Sequence, residues 1–240
     1  MLHSDLINDI KSFSKEIRTN KKVDWDRISM NPAAVHLLEK NQDKINWHWL
    51  SQNPKTLDWI EKNLDKISWE SLCRNPLALY LLVKNPDEIN WYSLCGITSN
   101  MSFLEKNIDK IAWLTLSENP AALYLLEKNP DKIVWETLSN NPAALYLLEK
   151  NPDKIDWWNL SMNPAALLLI EKNPYKICWK LLSMNTAAAD LHEKNQYRLE
   201  WYWISLNRSS ISLLEKNQDK IDWSFLSQNP AALHLLEEDY

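Results

Sequence analysis

The chain has 240 residues, 45% of them hydrophobic and 14 of them tryptophan, enough apolar material for a continuous core and too much for a disordered chain. A formal charge of -5 and a pI near 5.6 leave no basic field to attract nucleic acid phosphates. No apolar run reaches the length of a membrane span, and residues 1–20 mix acidic groups with short apolar steps, unlike a secretory signal. The expectation is therefore an intracellular chain with neither a nucleic acid nor a membrane as partner.

Residues 2–17 place Leu2, Leu6, Ile7, Ile10, Phe13 and Ile17 at helical spacing, and this predicts an amino-terminal capping helix within residues 1–20. From residue 21 to residue 240 the chain is one tandem repeat. Trp25, Trp47, Trp69, Trp91, Trp113, Trp135, Trp157, Trp179, Trp201 and Trp223 follow one another at intervals of 22 residues without insertion or deletion. A strict period of this length predicts a single domain built as an all-α solenoid of about ten helical hairpins, whose function is displayed on its surface. A leucine-rich-repeat-like horseshoe is the alternative, because that class shares the period and a recurrent asparagine. The spacing of Leu145, Leu147, Leu148 and Asn151 and the Ala-Ala after proline favour helix over strand.

Within a repeat, Asp24, Asn46, Ser68, Asn90, Asp156 and Asp222 precede their tryptophan and are expected to cap a short first helix. The tryptophan and the leucine or isoleucine three residues later are expected to face inward, so that the ten tryptophans form an internal spine. Asn-Pro, as at Asn141-Pro142, predicts the start of a second helix of two to three turns, with proline at its first position. The asparagine of Glu-Lys-Asn, as at Asn151, is expected to end that helix in the left-handed conformation. Pro-Asp-Lys-Ile then suits a tight turn. Gly96-Ile97-Thr98 interrupts the Asn-Pro signal, so the second helix there is expected to start later, near Ser99 or Asn100.

The string Asn-Pro-Ala-Ala-Leu-Tyr-Leu-Leu-Glu-Lys-Asn-Pro-Asp-Lys-Ile-Asp-Trp, Asn141 to Trp157, resembles the tandem repeats of proteins from giant and other large DNA viruses. The resemblance covers the chain from Val23 onward. It implies a repeat scaffold acting in an infected host cell or a virion, and it supplies no catalytic residues.

No catalytic constellation is present: neither a nucleophile elbow, nor a glycine-rich phosphate loop, nor a pair of metal ligands on one helix face. The five histidines are scattered, and no metal or cofactor is expected. Cys73 and Cys95, where most repeats have serine, read as small reduced residues near the core. His192, in a repeat thinned by Ala189 and Asp190, reads as a hydrogen-bonded histidine at partial burial rather than a ligand. The repeated Glu-Lys and Asp-Lys pairs read as solvated ridges with charge pairing across repeats.

Function is expected where the frame is constant and the residue varies, at one, two, five and eleven residues after the tryptophan. Tyr80, Tyr92, Tyr124, Tyr146, Trp158 and Tyr202 are the candidate partner-binding residues, because exposed aromatics anchor protein interfaces. Trp49, Trp158 and Trp203 could equally fill gaps between layers. The expected function is a non-enzymatic scaffold that binds a host or viral protein. The alternative is a structural or assembly protein of a particle or filament, with self-association as its partner.

Overall fold

A computed structural model describes residues 23–237. The expected capping helix within residues 1–20 lies outside the described residues. Every regular element among the described residues is helical, and no strand occurs, so the horseshoe has no place there. The helices group into two compact units, Met1–Leu94 and Cys95–Tyr240. In the first, Trp25–Met30 packs on Trp47–Ser51, and that helix on Trp69–Leu72. In the second, Trp113–Glu118 packs on Trp135–Asn140, which packs on Trp157–Leu160, and Trp201–Leu206 packs on Trp223–Leu226.

All six expected caps of the first helix are made. Asp24, Asn46, Ser68, Asn90, Asp156 and Asp222 each accept a backbone N–H from two or three residues ahead. Four to seven residues follow before the helix stops. The second helix differs from expectation. Asn-Pro-Ala-Ala forms a turn or a short 3-10 segment such as Pro120–Ala122, and the α-helix begins three residues after the proline position. It is only five or six residues long, as in Leu145–Lys150. The interrupted repeat follows the same rule, with Met101–Glu105 at the usual phase, so its helix starts no later than the others.

The asparagine that ends the second helix is not left-handed. Its φ lies between -138° and -125° in Asn41, Asn63, Asn85, Asn107, Asn129, Asn151, Asn195 and Asn217. The stop comes instead from its side chain, whose amide donates to the carbonyl four residues back, as Asn151 does to Leu147 at 2.8 Å. A final-turn carbonyl is thereby satisfied without a glycine.

Polar side chains join one repeat to the next. The serine four residues after the tryptophan donates to the tryptophan carbonyl and accepts the N–H of the residue before the next tryptophan. Ser139 does both, at 2.8 Å to Trp135 and 3.0 Å from Asp156. The asparagine of Asn-Pro has a double use. Asn141 Oδ1 accepts the N–H of Ala143, and its amide donates to the carbonyls of Ser117 and Asn119 at 3.0 and 3.2 Å. Pro120 has no N–H and the Ala121 N–H goes to Asn119 Oδ1, which leaves the Ser117 carbonyl for Asn141, and the same rung forms where Thr186 or Arg208 stands in place of the proline. Asn53, Asn75, Asn119, Asn163, Asn185, Asn207 and Asn229 make equivalent rungs, and all are at most 4% exposed. Cys73 stands in for serine, its Sγ accepting the Asn90 N–H at 3.2 Å, and burial pushes the thiols of Cys73 and Cys95 up.

The fully buried apolar positions are aliphatic. Leu50, Leu72, Leu116, Leu138 and Leu160, three residues after their tryptophan, are wholly inaccessible, as are Leu38, Leu82, Leu126 and Leu148 of the second helices. The tryptophans sit one layer further out. Trp25 and Trp47 pack against the edge of the core of Ile28, Ala34, Leu38 and Leu50, and Trp179 and Trp201 against that of Ile204, Leu214 and Leu226. They are half-buried, and Trp223 is exposed. The outer ring face carries a cation from the end of the same repeat: Lys154 lies 4.8 Å from the Trp135 centroid, Lys176 4.7 Å from Trp157 and Lys220 4.7 Å from Trp201.

Candidate partner-binding surface

Five of the six sequence candidates are exposed, and they are spread over both units rather than gathered. Tyr80 and Tyr92 belong to the first unit, and Tyr124, Tyr146 and Trp158 to the second. Three of the tyrosines are already engaged by their own repeat ridge. Lys84, Lys128 and Lys150 lie over the rings of Tyr80, Tyr124 and Tyr146, four residues along each helix. Tyr80 also donates its hydroxyl to Glu61 at 2.5 Å, which pushes its pKa up to about 12. Tyr92 and Trp158 are more open, 59% and 55% exposed.

Tyr202 is half-buried against Trp203 and Phe225, at centroid distances of 5.0 and 5.5 Å, and Trp203 meets Phe225 at 5.9 Å. Trp203 is therefore a filler within an aromatic cluster, and Trp49, half-buried with its ring edge-on to His48, behaves similarly. His192 is buried completely rather than partly. Its Nε2–H donates to the Leu182 carbonyl at 2.7 Å and its Nδ1 accepts from the Ser210 hydroxyl at 3.2 Å. Burial lowers its pKa, so the ring is neutral, and Ser210 replaces the usual alanine of the next repeat to match it.

The most open aromatics lie at a phase that is otherwise constant. Eighteen residues after the tryptophan, seven of nine repeats carry aspartate, and the remaining two, consecutive, carry Tyr175 and Tyr197. They are 98% and 79% exposed. Between these two turns lies a groove of about 300 Å³, lined by Glu171, Tyr175, Ile177, Trp179, Leu191 and Arg198. Arg198 occupies the cation position of its repeat. Its guanidinium lies 5.2 Å from the Trp179 centroid and 5.2 Å from the Tyr197 centroid, and its Nε donates to the Tyr197 hydroxyl at 2.9 Å. The groove thus offers aromatic edges, an aliphatic lining from Ile177 and Leu191, and a planar cation held in place by two rings.

Among the described residues no group of three or more His, Cys, Asp or Glu is placed to hold a metal ion, and no helix is long and apolar enough to cross a membrane. Glu-Lys ridges pair across repeats where they can: Lys128 meets Glu105 and Lys216 meets Glu193, each at 2.6 Å on exposed side chains. No family model, curated protein or solved structure matches the chain.

Proposed function

We propose that the chain is a solenoid-type, non-enzymatic repeat scaffold that binds a protein partner, with the groove lined by Tyr175 and Arg198, the latter held by Tyr197, as its principal contact surface. The observation that carries this reading is the double replacement of a constant aspartate by tyrosine in adjacent repeats, beside a groove and at 98% and 79% exposure. The frame does not need these tyrosines, since seven repeats fold with aspartate at the same phase. Large, exposed aromatics flanking a concave site supply the kind of anchor on which interface energy concentrates. Trp158, in the same repeat as Tyr175, and Tyr92 extend the set of open aromatics. The resemblance to repeat proteins of large DNA viruses supports a host or viral protein as the partner.

Affinity capture from a lysate with wild type and with the Tyr175→Asp/Tyr197→Asp double variant tests the reading. Both substitutions restore the common residue of the repeat, so the melting temperature is expected to hold while a specific partner is lost. A partner retained equally by both chains overturns the groove as the contact surface.

A further inference from the structure

We infer that the groove takes an extended, acidic segment of a partner protein, with an apolar side chain set against Trp179, Ile177 and Leu191 and a carboxylate at Arg198. The inference rests on the binding reading above and names the chemistry of the partner.

Charge is the deciding feature. In the turns spanning residues 127–132 and 149–154, two glutamates and two aspartates balance four lysines, a net charge of zero. In the corresponding turns 171–176 and 193–198, the aspartates have become Tyr175 and Tyr197 while four cations remain, and the net charge is +2. In a protein whose overall charge is -5, this is a local reversal of sign beside a groove. Elsewhere the aspartate at this phase serves as the carboxylate for its neighbour, as Asp43 does for Lys44 at 3.0 Å and Asp131 for Lys132 at 3.3 Å. Lys176 and Arg198 have lost that neighbour, and among the described residues neither has a carboxylate within ion-pairing distance. Of the two glutamates in these turns, Glu193 is neutralised by Lys216, which leaves Glu171 as the single opposing charge on the groove lining.

The geometry of the cation matches a carboxylate. Arg198 is braced by Trp179 and Tyr197, so little rotamer freedom is left to lose on binding, and a guanidinium presents its N–H groups in a planar fork that suits two carboxylate oxygens. Lys176, lying over Trp157 at 4.7 Å, adds a second positive charge on the preceding turn. An aliphatic side chain flanking the carboxylate would cover Ile177 and the half-buried ring of Trp179. Polyanions without such a side chain, single-stranded nucleic acid among them, would use the charge but not the aliphatic lining.

The test uses the full chain and labelled peptides of about ten residues, long enough to cross a standard contact patch. One peptide alternates leucine with glutamate, a second leucine with lysine, and a single-stranded oligothymidine is the third probe. Fluorescence anisotropy is expected to show binding of the glutamate peptide alone, weakened about tenfold or more by Tyr175→Asp/Tyr197→Asp and by Arg198→Glu. Circular dichroism of the variants establishes that they stay folded. Equal binding of the lysine peptide or the oligonucleotide overturns the inference, and so does unchanged binding of the glutamate peptide to either variant. A cellular partner that needs Tyr175 and Tyr197 but is not displaced by the glutamate peptide sinks this inference and leaves the binding reading standing.

Discussion

The repeat beginning at Trp135 and the one beginning at Trp179 differ in side chains and share their hydrogen bonds. Thr186 replaces Pro142, Ala189 replaces Leu145, Asp190 replaces Tyr146, His192 replaces Leu148, and Tyr197 and Arg198 replace Asp153 and Lys154. Yet Asn185 reaches the Ser161 and Asn163 carbonyls at 3.1 and 3.2 Å, as Asn141 reaches those of Ser117 and Asn119 at 3.0 and 3.2 Å. Ser183 ties Trp179 to Glu200 as Ser139 ties Trp135 to Asp156. A frame held by asparagine, serine and main-chain atoms tolerates loss of two leucines, a proline and an aspartate in one repeat. The tolerance is what lets the second repeat display Tyr197 and Arg198 beside a groove.

The sharpest way to break this comparison is to invert a rung. Asn141→Asp and Asn185→Asp each turn two buried donors into acceptors facing carbonyls, and each is expected to cost at least about 3 kcal/mol. Urea unfolding of the two variants should give matching losses; a much smaller loss for Asn185→Asp would mean that the divergent repeat is held by something else. The next effect separates leucine from tryptophan. Leu138→Ala, at a wholly buried site, is expected to cost about 2 to 5 kcal/mol, whereas Trp135→Ala should cost about 2 because its ring is only partly buried, at the edge of the core. A greater loss at Trp135 in the same unfolding series would mean that the tryptophans contribute more to the repeat than its wholly buried leucines.

The smallest effect belongs to His192 and appears only with pH. Its folded pKa is lowered by burial, so the unfolded chain binds a proton near pH 6.5 that the folded chain refuses. Its contribution to stability is therefore complete above that pH and is lost as pH falls toward the folded pKa. His192→Leu, which restores the residue at Leu148, should flatten this part of the stability curve relative to wild type. Thermal melts at stepped pH that fall in parallel for both chains would show that His192 is not the source.

Much of the fold is legible because local signals and tertiary structure agree. The six first-helix caps need only their own side chain and the next three residues, and all six occur. Second-helix length is less legible, because proline at a first helical position is equally compatible with the turn that the Asn141 cap stabilises. Asn151 is misread for a related reason: an asparagine at a helix end can supply a backbone conformation or a side-chain donor, and only the coordinates show the bond to Leu147. The second use of Asn141, reaching back across a repeat, leaves no mark that distinguishes it from an ordinary cap. Tyr175 and Tyr197, by contrast, are visible in sequence. They are missed when attention goes to phases that vary freely, since a constant position broken twice in succession carries more information than a position that is never constant.

The rungs also bear on how such a chain grows. Across the joint, each asparagine amide donates to carbonyls of the preceding repeat and each serine hydroxyl accepts an N–H of the following one, so the polar part of the joint contains little that is specific to either repeat. A copy or deletion of 22 residues in register between repeats that carry both the asparagine and the serine recreates the same joint, whereas a gain or loss of a single residue misaligns the bonds that span it. Length can therefore change by whole repeats with the joints preserved, while a buried change still asks for a matching one next door, as His192 does of Ser210.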